Sequence, residues 1–399
     1  MKRYGLQPCW LRKEPAIIGQ AMLSSLLIPL RLRGVTLANR FVMAPMSRYF
    51  SPGGVPTRDV ASYYRRRAES GLGLIFTEGT AVAHPVAVDN PGSPRLHGED
   101  ALTGWRGVVD AVHAAGCPIW PQLWHQGPMF NVEFSGQGDF TALRPSGIWG
   151  PSDGVISLRP EVREASLADT APMSDEDIAD AIESYAVAAR NAAQLGFDGI
   201  AIHGAHGYLI DSFLWHYTNR RSDRWGGTHA GRAAFGAAVV RAIRGAIGDE
   251  MPIALRISQF KMQDYQARLA ETPDELAELL GPLADAGVDL FDCSQRFFDT
   301  PLFEGSQLNL AGWVKKLTGV ASMTVGGVGL GKSGGKAAHI DPTQQTTNNL
   351  PQLVERFERG EFDLVAVGRS VLNDPDWFRR AIAGEPFLPF DQANLRRLT

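Results

Sequence analysis

The sequence predicts a closed (β/α)8 barrel, the TIM-barrel fold, and three observations support that prediction. Short apolar runs alternate with amphipathic helical stretches about eight times, which is the pattern of parallel strands joined by crossover helices. The 399 residues are ample for such a barrel, which takes about 250. No compositional break divides the chain. We therefore expect an N-terminal tail at residues 1–21 and one barrel domain at residues 22–399.

The predicted strands can be read in chain order. They are Phe41 to Met46, Leu74 to Thr77, Ile119 to Leu123, Gly199 to Ile202, Ile253 to Ile257, Val288 to Cys293, Ser322 to Val325 and Leu364 to Val367. Two of the helices between them have readable starts, because Ser174 with Asp177, and Thr272 with Glu275, place a side-chain oxygen where it can cap free N–H groups. The strand-to-helix loops of a barrel meet at one face, so functional residues should follow the strand ends.

Two of these loops are long enough to be functional excursions. The stretch from Trp124 to Met173 follows the third strand and is rich in glycine, proline and aromatic residues. Connections of this length are usually lids or binding segments. A shorter polar stretch, Gly331 to Asn349, follows the seventh strand.

Composition limits the partners and the compartment. The formal net charge of −4 provides no general attraction to nucleic acid or anionic lipid, so small molecules are the expected partners. The oligomeric state cannot be read from one sequence. Cys9, Cys117 and Cys293 are too few and too scattered for a disulfide framework or an iron–sulfur site, which favours the cytoplasm. The apolar run from Ala21 to Leu30 contains Pro29 and is too short to span a membrane, so we expect neither a signal peptide nor a membrane anchor.

One glycine-rich stretch matches two motifs that we reject. Gly326 to Ser333 fits the phosphate-binding loop of nucleotide hydrolases, but no helix follows the lysine and serine as that mechanism requires. Gly331 to Gly335 fits the nucleophile elbow of serine hydrolases, yet it lies several residues beyond the strand.

The end of the fourth strand carries a cluster with more chemical content. His203 and His206 are three residues apart, and Tyr208 follows two residues later. Two imidazole N–H groups can converge on one carbonyl oxygen and stabilise its developing negative charge, while a phenol can donate a proton. From these residues alone, a structural role in the loop is equally compatible. A metal-dependent barrel hydrolase that uses the two histidines is a further alternative, although zinc requires three protein ligands or more.

Seven segments in order along the chain carry distinctive motifs: Val42 to Arg48, Thr77 to Thr80, Gln122 to Gly127, His203 to Gly227, Leu255 to Ser258, Val325 to Gly327 and Val367 to Arg369. With these motifs the chain resembles the old yellow enzyme family of flavin-dependent ene-reductases, from about Leu26 to Pro389. The resemblance implies FMN as cofactor, NADPH or NADH as electron donor, and a small-molecule alkene as substrate.

The resemblance also implies a role for each matched position. Pro45, Met46, Ser47 and Gly79 would lie against the flavin ring, and Gln122 would bind its pyrimidine edge. Arg256 would stabilise the reduced, anionic ring. The FMN phosphate would be bound by the group of residues Gly326, Gly327, Gly368 and Arg369.

In the implied reaction, His203 and His206 hold the substrate oxygen, hydride passes from the flavin to the β-carbon, and Tyr208 protonates the α-carbon. The expected substrates are α,β-unsaturated carbonyl compounds, with nitro compounds as a further class. Besides the metal-dependent hydrolase, a non-catalytic flavin-binding protein is the remaining alternative, but such a protein does not need a proton donor.

Overall fold

Eight parallel strands close into a barrel, as predicted. The computed structural model describes residues 15–135, 140–151, 164, 166–332 and 344–399. The strands are β1 (Leu30–Leu32), β2 (Val35–Leu37), β3 (Phe41–Met43), β4 (Leu74–Ala81), β5 (Ile119–Trp124), β6 (Ile200–His203), β7 (Ile253–Ser258), β8 (Leu290–Ser294), β9 (Ala321–Val325) and β10 (Leu364–Val367). A small hairpin of β1 and β2 precedes the barrel, and β10 closes it by pairing with both β9 and β3.

Helices surround the barrel strands. The described α-helices are Pro15–Met22, Arg58–Glu69, Glu99–His113, Val132–Ser135, Asp175–Leu195, Leu209–Leu214, His229–Ile247, Pro273–Asp285, Leu310–Thr318, Leu350–Glu358, Arg369–Asn373 and Trp377–Ala383. Both predicted starts are confirmed, since the hydroxyl of Ser174 accepts the N–H of Asp177 and that of Thr272 accepts the N–H of Glu275. Short 3-10 helices occur at Ser24–Leu27, Pro52–Gly54, Gly127–Met129 and Gln392–Arg396.

All eight predicted barrel strands are confirmed, with shifted ends. Strand β3 ends at Met43 rather than Met46, because Pro45 has no N–H to continue the ladder. Strand β4 continues past Thr77 to Ala81, with a register shift between Phe76 and Gly79.

The barrel interior is packed with side chains. Phe76 and Trp120 stack inside it with ring centroids 5.5 Å apart, among apolar residues from the surrounding strands. The hairpin of β1 and β2 packs Leu32 and Leu37 against this interior cluster. The hairpin was not predicted, because strands of three residues show no periodicity.

The N-terminal tail and the two excursions are described only in part. The last residues of the predicted tail form the helix that begins at Pro15, and Gly19 packs against the backbone of Ile382 and Gly384. The domain boundary at residue 22 stays a prediction. Within the first excursion, residues 136–139, 152–163 and 165 lie outside the described residues, as do residues 333–343 of the second. None of the helices in the described part of the chain is both long and apolar enough to cross a bilayer.

Candidate active site

Strand register places three polar residues side by side at the barrel mouth. His203 pairs with Arg256 across β6 and β7, and Arg256 pairs with Asp292 across β7 and β8. All three side chains are buried. An imidazole, a guanidinium and a carboxylate therefore lie in one row, at the face where the strand-to-helix loops meet.

Two adjoining cavities open at this face. The imidazole cavity, about 310 Å³, is lined by Pro45, Met46, Ser47, Tyr49, Gly79, Gln122, Trp124, His203, His206, Tyr208, Arg256 and Met262. The glycine cavity, about 210 Å³, is lined among others by Pro45, Met46, Arg256, Phe260, Tyr265, Ser294, Arg296, Gly326, Gly327, Gly368 and Arg369. They share Pro45, Met46 and Arg256. Each of the thirteen predicted site residues lines one cavity or both, so the fold brings the whole predicted set together.

The three predicted catalytic side chains converge in the imidazole cavity. The ring centroid of His203 lies 5.2 Å from that of His206 and 4.8 Å from that of Tyr208. Trp124 meets Tyr208 edge to face at 5.1 Å, which fixes the orientation of the phenol. Two imidazoles and a phenol therefore face one small space.

Burial sets the protonation states of His203 and Tyr208. Burial, aided by the positive charge of Arg256, holds the pKa of His203 well below its usual value, so this imidazole is neutral at pH 7. Its Nδ1 accepts the N–H of Ala205 at 3.4 Å. Because Nδ1 is an acceptor, the single proton of the neutral ring is on Nε2. Burial, with smaller effects from Tyr49 and other neighbours, raises the pKa of Tyr208, so its phenol keeps its proton.

His206 is held from several sides. Its φ is +64°, a left-handed conformation that non-glycine residues rarely adopt. Its N–H donates to Ser258 Oγ at 2.9 Å, and its Nε2 lies 2.8 Å from Ser294 Oγ. The ring also stacks on Phe260 with centroids 5.0 Å apart. These contacts fix both the backbone and the ring of a predicted substrate-binding residue.

A buried carboxylate holds Arg256 between the two cavities. Asp292 Oδ2 accepts from Arg256 Nε at 2.6 Å, and both side chains are almost completely enclosed. Burial raises the pKa of Asp292, and the nearby guanidinium opposes that rise. Asp292 was missed from the sequence, although an acidic residue inside an apolar run was an available signal.

A second buried carboxylate supports the segment after β3. Glu78 Oε2 accepts the N–H of Arg48 at 2.7 Å and that of Tyr49 at 3.0 Å. Burial raises the pKa of Glu78 to about 7. Tyr49, which has a φ of +62°, lines the imidazole cavity and hydrogen-bonds with the side chain of Ser47. Sequence reasoning missed Tyr49, because nothing in its neighbours shows that the chain turns here.

The lining of the two cavities provides groups that could hold FMN. Gln122 Nε2 is buried and has no hydrogen-bond partner among the described residues, as expected of a donor that binds a ligand. In the glycine cavity, Gly326 has a φ of +138°, and a Cβ there would collide with the carbonyl of Gln295. Arg369 supplies a guanidinium to the same cavity. A cradle of backbone without side chains, together with the guanidinium of Arg369, suits a phosphate group. The unpartnered amide of Gln122 suits the polar edge of a flavin ring, so these residues fit FMN.

The rejected motifs and the metal alternative gain no support from the described residues. Lys332 pairs with Asp299 at 2.8 Å, and Ser333 lies outside the described part of the chain. Within that part, no group of three or more His, Cys, Asp or Glu side chains could hold a metal ion.

Comparison with known proteins decides the family. Residues 25–386 match the model of the NADH:flavin oxidoreductase / NADH oxidase family. The chain belongs to this family. The match confirms the predicted resemblance to old yellow enzymes, and for the family as a whole it confirms flavin-dependent, NAD(P)H-dependent oxidoreductase chemistry with FMN.

Relatives and solved structures agree with this assignment. The chain is 32% identical over 247 residues to 12-oxophytodienoate reductase 1 of Oryza sativa subsp. japonica, which covers 62% of each chain. The old yellow enzyme homologue from Zymomonas mobilis superposes with a TM-score of 0.76 at 25% identity, over 94% of this chain and 97% of that one. Morphinone reductase in complex with tetrahydroNAD superposes with a TM-score of 0.75 at 27% identity, over 93% of each chain. The chain thus spans about three fifths of the length of that rice relative.

Proposed function

We propose that this protein is an FMN-dependent ene-reductase that takes hydride from NADPH or NADH and reduces the C=C bond of electron-poor alkenes. The expected substrates are α,β-unsaturated carbonyl compounds, with nitro compounds as a further class. The observation that carries the proposal is the convergence of His203, His206 and Tyr208 in one cavity beside Arg256. The names of two relatives, a 12-oxophytodienoate reductase and a morphinone reductase, support it.

The lining residues would hold FMN across both cavities. Gly326, Gly327, Gly368 and Arg369 would bind its phosphate, and Pro45, Met46, Ser47 and Gly79 would lie against its ring. Gln122 would bind the pyrimidine edge, and Arg256 would balance negative charge on the reduced ring. Held there, FMN would supply the hydride chemistry that links the nicotinamide to the alkene.

The two imidazoles would polarise the alkene. Hydrogen bonds from His203 and His206 to the substrate oxygen lower the barrier to hydride attack at the β-carbon, each by about 2–4 kcal/mol in the transition state. His203 serves this purpose as a neutral ring with its proton on Nε2. Tyr208 would then give its Oη proton to the α-carbon, which completes the addition of one hydride and one proton.

The absorption spectrum of the purified protein tests this proposal. Oxidised-flavin bands should disappear when NADPH or NADH is added without oxygen, and should return when 2-cyclohexenone follows. A colourless protein that also fails to bind added FMN would contradict the cofactor assignment. A flavin that is reduced but not reoxidised by the enone would contradict the reaction class.

The cytoplasm remains the proposed location, with small molecules as the proposed partners. Cys117 and Cys293 are free and buried, as suits a reducing compartment. Fractionation of the source cells with an antibody to this protein would test the location.

A further inference from the structure

A fully enclosed ion pair joins the segment that carries His206 and Tyr208 to the loop after β7. Lys261 Nζ lies 2.6 Å from Asp211 Oδ1, and neither side chain is exposed to solvent. Asp211 belongs to the helix Leu209–Leu214, which starts directly after Tyr208. An apolar pair of similar size is often as stable as a buried ion pair, so general stability is a weak explanation for these charges.

The second oxygen of Asp211 holds the turn between the two predicted catalytic residues. Asp211 Oδ2 accepts the N–H of Gly207 at 2.6 Å. Both His206 and Gly207 have positive φ, at +64° and +83°. Such a conformation persists at a non-glycine residue only where the surroundings hold it in place. Asp211 is therefore part of what holds this turn.

Lys261 anchors the other side of the same turn. Its Nζ also donates to the carbonyl of Ser258 at 3.2 Å. The next residue, Met262, donates its N–H to the carbonyl of His206 at 3.2 Å. The β7 loop and the His206 turn are thus joined by the ion pair and by the backbone hydrogen bond from Met262 to His206.

We propose that Asp211 and Lys261 are a positioning pair that fixes the turn from His206 to Tyr208 in its reactive geometry. The inference rests on the proposed function, because it takes His206 and Tyr208 to be the groups that contact substrate. Neither Asp211 nor Lys261 lines the two cavities, so the pair acts through the turn.

The double variant Asp211→Asn/Lys261→Met tests the pair without leaving one buried charge unpaired. In single-turnover measurements on the FMN-loaded protein, we expect the Kd for 2-cyclohexenone to rise, and the limiting rate of flavin reoxidation to fall, by at least tenfold each. The limiting rate of flavin reduction at saturating NADPH should stay within about twofold. If that double variant does not fold, Asp211→Asn/Lys261→Gln also leaves no buried charge unpaired, keeps a donor opposite residue 211 and should show the same selectivity at about threefold to tenfold.

A matched control is the buried pair of Arg356 and Glu361, 2.9 Å apart and outside both cavities. Arg356→Met/Glu361→Gln should leave both half-reactions unchanged. Amide hydrogen exchange of residues 203–214 gives a readout independent of alkene chemistry. It should be at least tenfold faster in the Asp211/Lys261 variant and unchanged in the control.

The outcomes separate the two proposals. Unchanged exchange in residues 203–214, or full enone reactivity in a folded Asp211/Lys261 variant, would overturn the positioning role. A wild-type protein whose flavin is not reoxidised by the enone, while exchange rises in the variant, would overturn the proposed function and support the positioning role.

Discussion

The glycine cavity and the imidazole cavity are built in different ways. At Gly326 the wall of the glycine cavity is bare backbone, where a side chain would collide with its neighbours. The working surface of the imidazole cavity consists of the rings of His203, His206 and Tyr208, each of which is oriented by a further contact. Cofactor retention should therefore depend on the absence of side chains in the glycine cavity. The alkene chemistry should depend on the presence and protonation state of the three side chains in the imidazole cavity.

The broadest expected effect is the loss of cofactor in Gly326→Ala, because both half-reactions need FMN. The new Cβ would meet the carbonyl of Gln295 at a φ that favours glycine, so the cradle must shift. We expect FMN content to fall below about one tenth of the wild-type value, as measured by flavin absorbance per protein. Gly319→Ala is the matched control, because Gly319 also has a positive φ but open space around it. Equal FMN loss in both variants would contradict a steric role for the cradle.

Tyr208→Phe should impair alkene reduction in the imidazole cavity and leave cofactor retention intact. With no proton to give to the α-carbon, formation of cyclohexanone from 2-cyclohexenone should slow by about 10²–10⁴-fold. FMN content should be unchanged, because Phe preserves the contact with Trp124. Gas chromatography measures the product, and reoxidation by oxygen, which needs no proton at carbon, is the internal control. Equal slowing of both reactions would count against Tyr208 as the donor.

Ser294→Ala should have a smaller effect confined to the alkene step. The variant removes the 2.8 Å contact with His206 Nε2 and frees the ring, at a loss of about 1 kcal/mol for one hydrogen bond. That corresponds to a decrease of about fivefold in the rate of enone reduction. Stopped-flow reoxidation of the reduced flavin measures it, and an unchanged rate would show that the contact with Ser294 is not needed to orient the ring.

The smallest effect on the reaction is expected for Glu78→Gln, which should instead change the pH dependence of stability. The pKa of Glu78 is about 7 in the fold against an ordinary 4.5, so the folded protein binds this proton more tightly than the unfolded chain. Its contribution to stability is complete below pH 4.5 and is lost as the pH rises through 7.

The glutamine variant cannot titrate at this position, so it should lack this dependence. Between pH 5.5 and 8, the free energy of unfolding of the wild type should fall by about 2 kcal/mol relative to Glu78→Gln. Urea denaturation at the two pH values measures both proteins. A constant difference between them would mean that Glu78 is ionised throughout.

The sequence predicted the barrel well because its strands are apolar runs that alternate regularly with helical stretches. Two features were not predicted from local sequence patterns, namely the N-terminal hairpin and the full length of β4. The hairpin Leu30–Leu37 is too short to show alternation, and β4 continues through Glu78 although a buried acidic residue is unusual in a strand. That carboxylate is tolerated because backbone N–H groups from the segment after β3 reach it, and this contact lies thirty residues away in the sequence.

The predicted site residues were found through their motifs, whereas the residues that hold them were not. Lys261 and Asp211 are fifty residues apart and look like ordinary surface charges, until the fold brings the β7 loop against the His206 turn. Ser294 could not be identified from the sequence either, because a serine at a strand end can have many roles. Long-range pairs of this kind leave no periodic or local signal in one sequence.

Single-turnover kinetics of the FMN-loaded wild type and Tyr208→Phe would test the central claim most directly. The claim is that one region retains the cofactor while three side chains in the other perform the alkene chemistry. We expect equal FMN content and nearly equal rates of flavin reduction by NADPH, with reoxidation by 2-cyclohexenone slower in Tyr208→Phe by at least about 100-fold. Equal reoxidation rates, or FMN lost from Tyr208→Phe, would contradict the claim.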